Sequence, residues 1–280
     1  MGIIDFRVRP LVSGYRNLRD NGTAHKFLTA FRLDTPLSVA TGSMEDLLRE
    51  MDDSGIELSV VPGRQSPNTF VPNEALLELA QRYPGRFEIF PLFNPAFPEE
   101  SLREVKDLVI NGPCKGVSME PGFGNTLLFD SEEYMPLYSL LNEYSVPLMA
   151  TFSGSITPAM DASLPGRFQS VAKRFPNIPM IAGHGGWPWL REMFCAAFFT
   201  ANIYLVPDLY SVRCPGQDDV RLAAEYMLRD RMLFGSSYPL VPMDAAVKNV
   251  EDWQLSPDSS RAFLYENARK LLAWKQANQI

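Results

Sequence analysis

Short apolar runs rich in β-branched residues recur along the chain, at 3–4, 58–61, 87–92, 116–119, 146–150, 178–182, 203–206 and 232–234. Runs of this length and composition read as buried strands. Between them lie longer stretches with helical patterning, at 44–54, 73–83, 99–111, 135–144, 187–199 and 220–228. The pairs Pro62-Gly63, Pro84-Gly85, Pro121-Gly122, Pro165-Gly166 and Pro215-Gly216 punctuate the pattern along its length, as loops should.

Alternation of strand and helix forces right-handed crossovers and a parallel sheet. Eight such units in about 250 residues favour a closed barrel over an open doubly wound sheet. The expectation is an α/β fold, a (β/α)8 TIM barrel, forming a single domain over residues 1–280. The stretch at about 15–42 is long and irregular for a βα loop and is expected to fold over the barrel mouth as a lid-like insertion. Within it, His25, Lys26 and Arg32 read as solvated side chains.

Composition narrows the partners. Apolar residues make up 46% and charged residues 21% of the 280, ordinary values for a globular chain. No run approaches the ~18 uncharged apolar residues of a membrane span. The first residues lack the pattern of a secretory signal, so a cytoplasmic location is expected. A net charge of −7 argues against nucleic acid or an anionic membrane as partner, and any functional positive charge must be local. Cys114, Cys195 and Cys214 are odd in number and far apart, and read as reduced thiols without a disulfide framework. Cys195 is expected in a helix core, and Cys214, in a loop, is the one weak nucleophile candidate.

Barrel chemistry sits at the carboxyl ends of the strands. Those positions are unusually polar: Arg7 and Arg9, Arg64, Asn94, Glu120, Thr151 with Ser153, His184, Asp208 with Tyr210, then Ser236, Ser237 and Tyr238. In an acidic chain, three arginines at one mouth would focus positive potential on a small anionic substrate. Trp187, Tyr210 and Tyr238 are candidate walls of that pocket, while Trp189 reads equally well as helix core. A Ser237–His184–Asp208 triad is disfavoured, because the strand order puts Asp208 between the other two.

Four segments carry a resemblance: Asp5-Phe6-Arg7-Val8-Arg9-Pro10, Gly183-His184-Gly185-Gly186-Trp187-Pro188-Trp189, Leu233-Phe234-Gly235-Ser236-Ser237-Tyr238-Pro239 and Glu266-Asn267-Ala268-Arg269-Lys270-Leu271. The chain resembles the amidohydrolase-related proteins, the branch that holds aminocarboxymuconate semialdehyde decarboxylase, resorcylate decarboxylase and pyrone dicarboxylate lactonase. That resemblance implies an amidohydrolase-like barrel, a homo-oligomer, and a metal held by an Asp-x-His-x-His strand, a strand-five histidine, a strand-six histidine and a strand-eight aspartate. Here Arg7 and Arg9, Thr151 and Ser237 fall on those positions, and His184 alone is retained.

Arginine has no free lone pair, so no metal and no other cofactor is expected. The remaining metal option is His184 with Asp208 and Glu120. The leading expectation is a metal-independent hydrolase of a small carboxylate-bearing substrate, such as a lactone. Arg7, Arg9 and Arg64 would hold the anion, with Trp187, Tyr210, Ser237 and Tyr238 completing the substrate site. His184 would be the general base, kept neutral by the arginines, with Asp208 or Glu120 orienting it. The lactonase sets the precedent for working without a metal, although it keeps the histidine pair and the strand-eight aspartate. Two alternatives remain open: a decarboxylase or other lyase of an aromatic or unsaturated acid, and a non-catalytic binding protein or inactive partner subunit.

Overall fold

A computed structural model of the chain describes residues 2–66, 69–123, 125–154, 157 and 159–277. The ends of the expected 1–280 domain, Met1 and 278–280, lie outside the described residues.

Among the described residues, seven parallel strands build the barrel wall in two groups. One group is β1 (Ile3–Asp5), β2 (Ile56–Pro62) and β5 (Phe87–Phe90); the other is β6 (Val117–Met119), β7 (Leu148–Thr151), β8 (Met180–Gly183) and β9 (Ile203–Val206). A parallel bridge between Leu92 and Ser118 joins the groups at one seam. The other seam is closed by the eighth expected strand, 232–234, which forms a bridge from Met232 to Leu205 and not a full strand. Leu233 N donates to Leu205 O at 2.9 Å, and Phe6 N donates to Phe234 O at 2.8 Å, so the wall is continuous. The fold is the (β/α)8 barrel that the alternation predicts.

The expected strands start early in two cases: 146–147 and 178–179 precede β7 and β8. Both runs contain a proline, Pro147 and Pro179, and proline offers no N–H to a ladder. Between β2 and β5 sits a hairpin that the apolar pattern does not signal, β3 (Arg64–Ser66) paired antiparallel with β4 (Thr69–Val71).

The stretch at 15–42 is largely helical and not irregular, with a 3-10 turn at Ser13–Arg16 and helices at Asn17–Asp20, Thr23–Phe31 and Leu37–Thr41. It is pinned from beneath. The buried Tyr15 hydroxyl donates to Pro62 O, and the Ser38 hydroxyl bonds both Glu50 and, at 2.7 Å, the Tyr238 hydroxyl. His25, Lys26 and Arg32 are exposed, as expected.

The thiols are distributed differently from expectation. Cys195 is exposed, because it falls on the outer face of the helix Leu190–Phe198, whereas Cys114 is buried. Cys214 is half-buried, and that burial raises its pKa, which lowers its thiolate content and its fitness as a nucleophile. Among the described residues no helix is long and apolar enough to cross a membrane.

Candidate active site

The assigned β1 ends at Asp5, yet the barrel's bonding continues beyond it. Val8 N donates to Val60 O, Arg9 N to Tyr238 O and Ser237 N to Arg7 O, each at 3.0 Å. This extended run delivers Arg7 and Arg9 to the mouth, where they are 0% and 1% exposed. Two guanidiniums at that depth need compensation, since a bare buried cation is costly.

Arg7 receives it from two sides. Its Nη2 donates to Thr151 Oγ1 at 2.8 Å, and its Nε lies 3.4 Å from Asp208 Oδ2. Its seat exists because residue 183 is glycine: a Cβ there would stand 1.8 Å from Arg7 Nη1. Arg9 donates from Nη1 to Ser237 Oγ at 2.7 Å and to Ser237 O at 3.3 Å. Burial, Arg7 and Arg64 together pull Arg9 down to about 9, which still leaves it charged at neutral pH. Arg64 points inward from the hairpin, 3.6 Å from Glu120 Oε1 and 4.6 Å above the Phe123 ring. Among the described residues, Arg7 Nε and Nη1, Arg9 Nε and Arg64 Nε are buried N–H donors without a hydrogen-bond acceptor, although Arg7 Nε faces the Asp208 carboxylate.

Opposite the arginines stands a buried His184–Asp208 pair. His184 Nδ1 meets Asp208 Oδ1 at 2.8 Å, and the His184 backbone N donates to Asp208 Oδ2 at 3.2 Å. Burial lowers the imidazole to about 4, with Arg7 and Arg9 adding to that and Asp208 opposing it, so His184 is neutral at pH 7. Burial pushes the Asp208 carboxyl up, but the His184 hydrogen bond and the neighbouring Arg7 and Arg9 charges hold it below its ordinary value. Asp208 is therefore the ionised partner. With Nδ1–H donated to it, His184 presents a free lone pair on Nε2. His184, Asp208 and Ser237 all adopt positive φ, at 65°, 41° and 62°. Such backbone is strained for residues with a Cβ and clusters at functional sites.

Not every expected site residue joins this group in the expected way. Glu120 does not orient the imidazole. Its Oε2 accepts from Gln65 N at 2.9 Å and its Oε1 from Thr151 Oγ1 at 3.3 Å, and burial raises its pKa against the pull of Arg64 and Arg7. Ser237 is tied to Arg9, which leaves no triad. Trp187 stacks on Tyr210 with centroids 4.5 Å apart, and Tyr210 in turn meets the His184 ring edge-on at 5.4 Å. Tyr238 is wholly buried, with its hydroxyl on Ser38 and its backbone O accepting from Arg9 N at 3.0 Å. Trp189 precedes the helix and is half-buried.

Three further residues shape the site, of which Thr151 was expected only as the occupant of a ligand position. Asp5 Oδ1 accepts from Arg7 N and Ser236 N at 3.1 and 3.0 Å, and burial raises this carboxyl to about 7. A carboxylate directly following Ile3-Ile4 was its available signal. Thr151 bridges Arg7 to Glu120, and Gly183 makes room for Arg7. Among the described residues no group of three or more His, Cys, Asp or Glu side chains is placed to hold a metal ion.

The Amidohydrolase family profile matches residues 4–274. An uncharacterised TIM-barrel protein from Bordetella bronchiseptica is 30% identical, with a TM-score of 0.92 over 99% of this chain and 100% of that one. The 2,6-dihydroxybenzoate decarboxylase from Rhizobium is 17% identical, with a TM-score of 0.69 over 98% of this chain and 99% of that one. A 4-oxalomesaconate hydratase from Rhodopseudomonas palustris is 17% identical, with a TM-score of 0.67 over 98% of this chain and 97% of that one. At that identity the last two share the fold alone. No curated protein matches the chain.

Proposed function

Because this chain belongs to the amidohydrolase family, we propose that it is a lyase that removes the carboxyl group of a small unsaturated or aromatic acid. The observation that carries the reading is one cluster: three buried guanidiniums with unpartnered N–H donors, beside a neutral histidine held by an ionised aspartate. Charge-assisted, bidentate contacts to a carboxylate are what guanidinium groups do best.

A divalent cation does not fit these residues. Arg7 and Arg9 stand where the resemblance places two histidine ligands; they offer no lone pair and add positive charge. Thr151 and Ser237, at two further ligand positions, are already bonded to Arg7 and Arg9. In this reading the arginines take over the templating part of a metal's work: they hold the substrate carboxylate and balance its charge. They supply no activated water, which is one reason the hydrolase expectation gives way to a lyase. The lyases among similar folds, including 2,6-dihydroxybenzoate and 5-carboxyvanillate decarboxylases, support the same choice.

His184 Nε2 takes up a proton from the substrate's own O–H or from solvent. The carbon–carboxyl bond then breaks, its electron pair stays on the substrate carbon, and the proton from His184 replaces the departing CO2. Asp208 keeps the imidazole in the tautomer that makes Nε2 the working atom. Enclosure strengthens each of these electrostatic contacts by excluding water.

The test is CO2 release from a panel of hydroxybenzoic, cinnamic and muconic acids. The reading predicts turnover of at least one, and a fall of ~10²- to 10⁴-fold in His184→Ala at unchanged melting temperature. Equal turnover by that variant removes His184 from the mechanism, and no CO2 from any acid contradicts the lyase assignment.

A further inference from the structure

The helices that sheathe a barrel turn an apolar stripe inward and a polar face to water. The helices Met44–Asp53 and Met243–Asp252 do so, exposing Glu45, Arg49, Asp52 and Asp53 on one and Asp244, Lys248, Glu251 and Asp252 on the other. The neighbouring helices Leu190–Phe198 and Gln217–Glu225 depart from that rule. Each buries its expected stripe, with Leu190, Met193 and Phe194 on the first and Val220, Ala223 and Ala224 on the second, yet Phe198 and Leu222 are also apolar and stand in solvent. Just past the two helices, Phe199 and Tyr226 are each 71% exposed, and Met227 is exposed beside Tyr226. Five of the eleven large apolar side chains exposed among the described residues thus line one open groove of about 430 Å³. Exposed apolar residues scattered singly need no explanation, but a contiguous patch marks a contact surface.

We propose that this face docks on the same face of a second copy of the chain, about a twofold axis that sets Phe199 of each copy against Tyr226 of the other. The proposal is independent of the chemistry at the mouth.

Area is the first argument. An aromatic side chain offers ~150–250 Å², so three rings half to seven-tenths exposed, together with Leu222 and Met227, present on the order of 500 Å². Two such faces remove about 1,000 Å² from water, the size at which a specific interface begins, and the surrounding rim adds to it.

Charge is the second argument, and it selects a second copy over other partners. A chain of net charge −7 repels its own copies, so they meet only where that charge is neutralised. The groove is such a place. Arg191 and Asp219 are the charged residues of its lining, and they hold each other through two hydrogen bonds of 3.0 and 3.1 Å. Beyond Met227, Arg229 and Asp230 are paired at 3.2 Å. A charged peptide or a nucleic acid finds no unpaired charge to grip along this lining.

The third argument is shape. Phe198 and Phe199 meet edge-to-face with centroids 5.1 Å apart and form a ridge on one side of the groove, while Leu222, Tyr226 and Met227 form the other side. A twofold interface must be self-complementary, each copy giving what it receives. An apolar ridge beside an apolar wall meets that condition, because rotation about the groove sets each ridge against the other copy's wall.

The experiment is sedimentation of the full chain at micromolar concentration, for the parent, Phe199→Glu, Tyr226→Arg and the double variant. The parent is expected to sediment as an assembly of an even number of chains. Each single substitution strands a charge in the apolar contact and should weaken association by about tenfold or more. In the double variant the introduced carboxylate of each copy meets the introduced guanidinium of the other, and association should return. Both positions are exposed, so the far-UV circular dichroism of every variant should match the parent. A monomeric parent overturns the proposal and leaves the face to a different protein; so does an assembly that either single substitution leaves intact. Two monomeric single variants whose combination stays monomeric overturn the twofold pairing of Phe199 with Tyr226.

Discussion

At one end of the barrel interior, Ile4, Phe6, Phe90, Met149, Ile181 and Leu233 close on one another and on Ala268 and Leu271 of the helix Asn267–Leu272. Phe6 meets Phe90 edge-to-face at 5.7 Å. At the mouth, one residue further along the first strand's run, Arg7 begins a cluster of buried charges. The floor has no positive-φ residue among these side chains and no polar atom to satisfy; the mouth has three strained non-glycine residues and orphaned guanidinium donors. Strain of that kind costs of order 1–3 kcal/mol per residue, and each unmet donor adds to it. A protein that needed only a closed barrel would fill both ends as it fills the floor. The mouth's cost points to a ligand, and the floor supplies the stability that offsets it.

Substitutions at the floor and the mouth should therefore fail in different ways. The largest expected effect on stability is at the floor: Phe90→Ala should cost about 3–5 kcal/mol in chemical denaturation while leaving carboxylate affinity in the folded protein unchanged. A parallel loss of affinity would show that floor and mouth are not separable.

Next comes a pH effect at the junction of the two, where Asp5 and His184 oppose one another. Asp5 is raised from 3.8 to about 7, so its contribution to stability is full below pH 3.8 and is lost as pH rises through 7. His184 is lowered from 6.5 to about 4, so its contribution is present above 6.5 and is lost as pH falls through 4. The two trends offset each other between those limits. Asp5→Asn deletes one of them, and its stability relative to the parent should improve by roughly 4 kcal/mol between pH 4 and pH 7. A pH-independent difference in urea unfolding would mean that Asp5 is ionised in the folded state.

Gly183→Ala is the smaller mouth perturbation. The added methyl would stand 1.8 Å from Arg7 Nη1 and 3.0 Å from Ala150 O, so Arg7 must move. The expectation is a loss of about 1–3 kcal/mol in stability together with weaker carboxylate binding. A stability loss with full affinity would confine the role of Gly183 to backbone packing.

The barrel was readable because its strands are short apolar runs separated by helical stretches, a signal that survives without tertiary context. The same alternation put Arg7, Arg9, Glu120, Thr151, His184, Asp208 and Ser237 at strand ends. What it could not convey was which acid meets which base. Asp208 and Glu120 were both candidates to orient His184, and only the three-dimensional path assigns Asp208 to the imidazole and Glu120 to Arg64. The hairpin that turns Arg64 inward has no apolar pattern of its own, so its direction is visible only in three dimensions. The strand-end position of Tyr238 carries no trace of Ser38, 200 residues earlier in sequence, which takes its hydroxyl.

The central claim is that the arginines at the mouth bind the carboxylate of a ligand, and calorimetric titration of benzoate into the parent and Arg7→Met tests it most directly. Methionine keeps much of the bulk and deletes the charge. Removing a buried, charge-assisted contact should cost on the order of 2–5 kcal/mol, so benzoate affinity in Arg7→Met is expected to fall by roughly 30-fold or more. Equal affinity in the folded variant would make Arg7 a structural ion-pair partner of Asp208, and would contradict the account.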